Sequence, residues 1–316
     1  MVSRRYLRIK VFQALYALEK NPSESTAAGE KKLTKSIEQC YTLFVTLFSI
    51  FPQFKKYRLN KMEDFKRKLA PTADDLNPNT KFVDNLVIEQ IENNLILQKL
   101  YINHKVHWTI HTEFVSQIFK EILETDFYQD YMANPDRSYE EDKKLVLKII
   151  EETFNNSAHF HWFFEDKNVH WGDDLNEALL MLYKNISSFK ESQATNAPIL
   201  PLYKDPVEDV GFYKSLYSKT IHNGQSFFEL IEPKLQNWEA ERVHEIDMIL
   251  MKMALCEITQ FPTIPIKVTI NEYIELAKWY SSAKSGLFIN GMLDKLIVDL
   301  VEKNMIHKTG FGLINN

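Results

Sequence analysis

The chain has 316 residues, 45% of them apolar, enough for one large domain or two smaller ones. Its 8 Gly and 11 Pro exclude long low-complexity stretches and enzymes built on several Gly-rich phosphate loops. A net charge of −5 does not by itself suggest a nucleic-acid binder, but residues 1–20 hold Arg4, Arg5, Arg8, Lys10 and Lys20 against Glu19 alone, a local basic footprint for phosphates.

Helical periodicity dominates the sequence, and strand-like alternation between Gly-rich turns is nearly absent. The first predicted helix runs from Arg4 to Glu19. Leu7, Val11, Ala14, Leu15 and Leu18 recur every three or four residues along it, and Arg4, Arg5 and Arg8 fall off that stripe. Asn21 and Pro22 stop it. A polar, small-residue linker is expected over Ser23 to Lys32. Helices are then predicted at 33–56, 60–69, 80–101, 104–125, 139–156 and 173–190, the last capped by Asp173 and Asp174. Thr195 to Pro206, with three prolines, marks the best boundary. Beyond it helices are predicted at 208–222, 225–237, 242–260, 267–281 and 286–303. Asn156–Trp171 and Asn223–Trp238 echo each other, pairing Phe160 with Phe227 and Glu165 with Glu232, as a duplicated module or a coincidence would. Cys40 and Cys256 lie far apart within apolar patterns and read as core residues of a protein from a reducing compartment. No apolar run free of charge reaches the ~18 residues that suggest a membrane span, and no cleavable signal is seen, so the expected location is the cytoplasm.

Two segments are more specific. The first is Arg4-Arg5-Tyr6-Leu7-Arg8-Ile9-Lys10-Val11-Phe12-Gln13-Ala14-Leu15-Tyr16-Ala17. The second runs Lys267-Val268-Thr269-Ile270-Asn271-Glu272-Tyr273-Ile274-Glu275-Leu276-Ala277-Lys278 and resumes at Phe288-Ile289-Asn290-Gly291-Met292-Leu293-Asp294-Lys295. They resemble the opening helix and the last two helices of the NusB family of transcription antitermination factors. The resemblance covers residues 1–20 and about 205–310. It implies an all-α fold: NusB-like helical bundles formed by residues 1–20 and 205–316, with residues 21–204 as a large additional helical segment of unassigned role.

The resemblance also implies a non-catalytic role without cofactor or metal. The family binds boxA-type single-stranded RNA with NusE, a small-subunit ribosomal protein, and joins an antitermination assembly on RNA polymerase that supports ribosomal RNA transcription. Single-stranded RNA is held by cations along its phosphates and by aromatic faces against its bases. On the matching positions, the expected RNA-binding residues are Arg4, Arg5, Arg8, Tyr16, Lys267, Lys284, Ser285 and Phe288. Asp247 and Lys252 are expected at the RNA or the partner protein. The loop Ser281–Leu287 departs from the family pattern, with Leu287 replacing a usual Lys.

Three other readings compete. His104, His107 and His111 fall on one face of the predicted 104–125 helix, and His159, His161 and His170 form a looser group. Without a His-Glu-x-x-His pattern or a nearby Cys, solvated or aromatic-stacked histidines are preferred over zinc ligands. An RNA methyltransferase would need a cofactor-binding sheet and Gly-rich turns, which the sequence lacks. A helical protein-interaction scaffold with weakened RNA binding is the principal alternative.

Overall fold

The computed structural model describes residues 1–108, 111–235, 245–282 and 284–313, and every regular element among them is helical. The end of the helix expected at 225–237, the start of that expected at 242–260, residues 109–110 of that expected at 104–125, Trp238 of the internal echo and Ala283 of the loop lie outside the described residues. The chain divides into two compact units. One comprises residues 1–2 and 38–202, the other residues 3–37 and 203–316.

In chain order the helices are α1 (Arg4–Lys20), α2 (Thr26–Phe48), α3 (Ile50–Lys66), α4 (Ala73–Leu76), α5 (Leu86–Glu92), α6 (Leu95–Asn103), α7 (Thr112–Leu123), α8 (Asp126–Ala133) and α9 (Tyr139–Lys148). A π-helical turn, Ile149–Phe154, continues α9. Then come α10 (Ala158–Lys167), α11 (Trp171–Ser187), a 3-10 turn at Glu191–Asn196, α12 (Pro206–His222), α13 (Gly224–Leu235), α14 (Glu245–Gln260), α15 (Ile266–Tyr280) and α16 (Ser285–Glu302).

Several boundaries differ from the sequence expectation, each for a local reason. The expected linker at 23–32 is instead the start of α2, where the Ala28 amide donates to the Ser25 hydroxyl at 3.3 Å. Gly29 is needed there for contact, not flexibility. A Cβ at this position would lie 2.1 Å from the Tyr217 hydroxyl, and Tyr217 is fully buried. The break expected between 56 and 60 falls at Ser49, because Pro52 has no N–H for the carbonyl of Phe48. The 80–101 helix is two helices. Asn85 caps α5, and Asn94 caps α6 through bonds of 3.0 Å from the amides of Ile96 and Leu97.

The 104–125 helix is interrupted by Lys105, which adopts a left-handed backbone (φ 53°). His104 therefore ends α6, His107 lies in the connecting segment and His111 precedes α7, so the three do not share a helix face. His104 sits edge-on to Tyr41 and His111 edge-on to Phe163. Asp173 and Asp174 are not the caps of α11. His170 holds that position, and the two acids occupy the first turn, where they complement the helix dipole. Helices α4, α8 and α10 are additions to the predicted set.

In the unit of residues 38–202 the interior is aromatic. Phe51, Phe54, Phe119, Phe154 and Phe160 are buried and touch in series, mostly with tilted rings, while Phe154 and Phe160 stack with ring centres 4.3 Å apart. In the unit of residues 3–37 and 203–316, α1 packs on α12 and α14, α14 on α15, and α15 on α16. Leu7, Val11 and Leu15 bury the stripe of α1. Among the described residues, no helix is long and apolar enough to cross a membrane.

Candidate nucleic-acid interface

The basic turn that opens α1 is the natural place to begin. Ser3 caps the helix, its hydroxyl accepting from the Tyr6 amide at 3.1 Å, so Arg4, Arg5 and Arg8 emerge on the first two turns. All three meet acids. Arg4 Nε lies 2.9 Å from Asp209 on α12, with its guanidinium 4.6 Å from the Phe212 ring centre. Arg5 donates from Nε and Nη2 to the two oxygens of Glu272 on α15, each at 2.9 Å. Arg8 donates in the same forked way to Glu257 on α14, each bond 2.8 Å.

These pairs differ in what they leave to solvent. The side chains of Arg4 and Arg5 remain 39% and 38% exposed, so each presents a partly neutralised cation. Arg8 is 3% exposed and Glu257 is fully buried. Thr269 donates to Glu257 Oε1 at 2.8 Å and Tyr273 to Oε2 at 3.4 Å, while Glu272 stands 3.7 Å from Arg8. Burial disfavours the Arg8 charge, but attraction and hydrogen bonds from Glu257 outweigh it and hold the guanidinium protonated. The expectation of Arg8 on an exposed basic face is corrected. It is an interior crosslink of α1 to α14, because its acid partner sits on the helix against which the stripe of α1 packs.

At the other end of α1, Lys20 pairs with Glu245 and lies 5.2 Å from the Tyr16 ring. Tyr16, Glu245, Ile246, Ser281 and Ser282 line an open depression of about 440 Å³. Tyr16 is half-buried, offering part of its face, and stands beside Phe12, which packs on Tyr280 at 5.2 Å.

The start of α16 is knit from beneath. Ser285 is 2% exposed, and its hydroxyl donates to Asp247 Oδ2 at 3.0 Å. Ser285 Oγ also accepts from the Ser282 amide at 3.2 Å and lies 2.9 Å and 2.8 Å from the Ser281 and Ser282 hydroxyls. Asp247 is 1% exposed and its Oδ1 has no hydrogen-bond partner. Phe288 is 8% exposed. Ser285, Asp247 and Phe288, expected as contacts, are thus interior groups that shape the loop before α16. Lys284 on that loop and Lys267 in the first turn of α15 are exposed. Lys252 is half-buried, 4.0 Å from Glu19 and over the Phe228 ring.

Sequence reasoning found the cations but not their partners. Glu257 and Glu272 lie some 250 positions from α1, and no spacing rule connects them. It also missed Trp279, whose side chain is 56% exposed beside Arg5. Among the described residues, no three His, Cys, Asp or Glu side chains gather to hold a metal ion.

Comparison with known proteins bears on the same elements. The NusB family model matches residues 177–298, a span that begins within α11 and ends within α16. The Transcription antitermination protein NusB of Salinibacter ruber is 36% identical over 144 residues, 45% of this chain and 89% of that protein. The protein of the same name from Clostridium botulinum is 34% identical over 127 residues, 40% of this chain and 86% of its own length. That from Chloroherpeton thalassium is 37% identical over 115 residues, 35% of this chain and 54% of its own. No solved structure matches the chain. Nearly the whole length of the Salinibacter protein is accounted for within this longer one, and the chain belongs to the NusB family.

Proposed function

We propose that this protein is a transcription antitermination factor of the cytoplasm, binding boxA-type single-stranded RNA together with NusE and joining an antitermination assembly on RNA polymerase during ribosomal RNA transcription. The observation that carries this reading is the alignment with an antitermination protein along 89% of its length. In this reading the RNA-contacting part is residues 1–20 and 205–316, and residues 21–204 add a helical region of unassigned role.

The contact set is narrower than the motif alone implies. Arg4, Arg5, Lys267 and Lys284 face solvent and supply cations, and Tyr16 supplies an aromatic edge. Lys252 lies at the margin. Arg8, Ser285, Asp247 and Phe288 act from inside: the first holds α1 to α14, and the others set the start of α16. Catalysis and cofactors have no part in this mechanism. RNA is captured by neutralising a few phosphates and displacing their counterions, with a salt dependence of slope near −0.7 per phosphate for single strands.

The test is binding of this protein, with and without NusE, to a boxA-like RNA and a scrambled control at two salt concentrations. Selective binding that strengthens with NusE is the expected result. Binding of NusE with no RNA binding in either condition would overturn the proposal in favour of a protein-interaction scaffold.

A further inference from the structure

Trp279 stands on the last turn of α15, 56% exposed, one residue before its neighbour Tyr280 turns inward onto Phe12. No aromatic ring among the described residues stacks on it. Its companion is Arg5, whose guanidinium carbon lies 5.7 Å from the ring centre. Arg5 is not free to swing away, because Glu272 holds it by two bonds of 2.9 Å. That grip uses Nε and Nη2 and leaves the Nη1 donors over. The acids beside the ring are both engaged, Glu272 by Arg5 and Arg8, Glu275 by Lys278 at 2.6 Å.

The result is a fixed, nearly neutral shelf: an open indole face, a planar cation with donors to spare, and no uncompensated acid to repel a phosphate. Along α15 itself the next exposed apolar residue is Val268, three turns away, so the helix presents no continuous apolar stripe. A flat π-face beside an arginine fork suits a flat π-system attached to an anion. We infer that Trp279 and Arg5 form a stacking platform for one unpaired base of single-stranded RNA, with Arg5 also donating to the adjoining phosphate. The inference rests on the RNA-binding reading above and extends the interface to the last turn of α15, on the same helix as Lys267 and just before Lys284.

The decisive experiment uses the full-length protein with NusE and a fluorescent boxA-like RNA. Wild type, Trp279→Ala, Trp279→Phe and Lys284→Glu are compared at two salt concentrations, with thermal melts as a folding control. Trp279→Ala is expected to weaken RNA binding roughly 5- to 150-fold with an unchanged salt slope, because stacking displaces no counterions. Trp279→Phe should recover most of the loss, and a photoreactive uridine in the RNA should crosslink to the peptide bearing Trp279. Wild-type binding matched by Trp279→Ala, with crosslinks elsewhere, overturns the platform while leaving the RNA reading intact. Loss of NusE binding by Trp279→Ala with RNA binding to the protein alone unchanged also overturns it, assigning the ring to the protein partner. Failure of wild type to bind RNA at all removes both readings, and is distinguishable because it precedes any mutation.

Discussion

The two units bury polar groups for different purposes. Of the chain's 21 phenylalanines, 14 fall in residues 38–202, and the polar side chains buried there serve the backbone or pair with a neutral group, as Asp142 does with Tyr131 and Ser49 with Trp108. Asn85 and Asn94 cap helices, Lys81 donates to the carbonyls of Tyr131 and Asn134, and Asp142 accepts from the Leu86 amide. Residues 3–37 and 203–316 bury a forked ion pair as well: Arg8 joins Glu257, Thr269 and Tyr273 donate to the same carboxylate, and Ser285 donates to Asp247. Aromatic packing tolerates many arrangements of similar volume, whereas a forked ion pair tolerates one. The unit proposed to meet RNA is the one whose helices are pinned by a buried ion pair, which suits a site needing fixed positions.

The sharpest way to break this contrast is to remove one anchor from each unit. Arg8→Ala leaves Glu257 buried and uncompensated, and should lower unfolding free energy by about 3–5 kcal/mol in urea denaturation. Replacing both partners, Arg8→Met with Glu257→Leu, should restore most of that stability. Phe160→Ala should also cost about 3–5 kcal/mol, but through lost volume, so no polar second change rescues it. A rescue pattern shared by both sites would erase the distinction.

Smaller effects sharpen it. Gly29→Ala forces α2 against Tyr217 and should cost about 1–3 kcal/mol, measured by the same denaturation. Asn94→Ala should cost about 1 kcal/mol through the loss of its cap. Lys284→Glu should leave stability unchanged and reduce the salt slope of RNA binding by about 0.7.

A further effect is one of pH. The Lys308 ammonium donates to the carbonyls of Phe261 at 3.0 Å and Glu257 at 3.4 Å, and burial lowers its pKa to about 8 from 10.5. Between those values the unfolded chain binds the proton and the folded one does not, so stability should rise with pH across that window and be lowest below it. Lys308→Met should flatten the rise in melts at pH 8 to 10.

Much of this was legible before any coordinates. The 3.6-residue period of Leu7, Val11 and Leu15 specified helix and buried face together, because side-chain burial repeats with the backbone that carries it. The ordered Lys267–Lys278 and Phe288–Lys295 segments specified the family. Helix ends were less legible where one residue outweighed the period, as at Pro52, Asn94 and Lys105. What only the tertiary structure decided was which charges remain available. Arg4, Arg5 and Arg8 look alike along the chain, yet Asp209, Glu272 and Glu257 arrive from helices far away in sequence, leaving two arginines half exposed and sealing the third. Charge belongs to a residue type, but exposure and pairing belong to the packing that brings distant helices together.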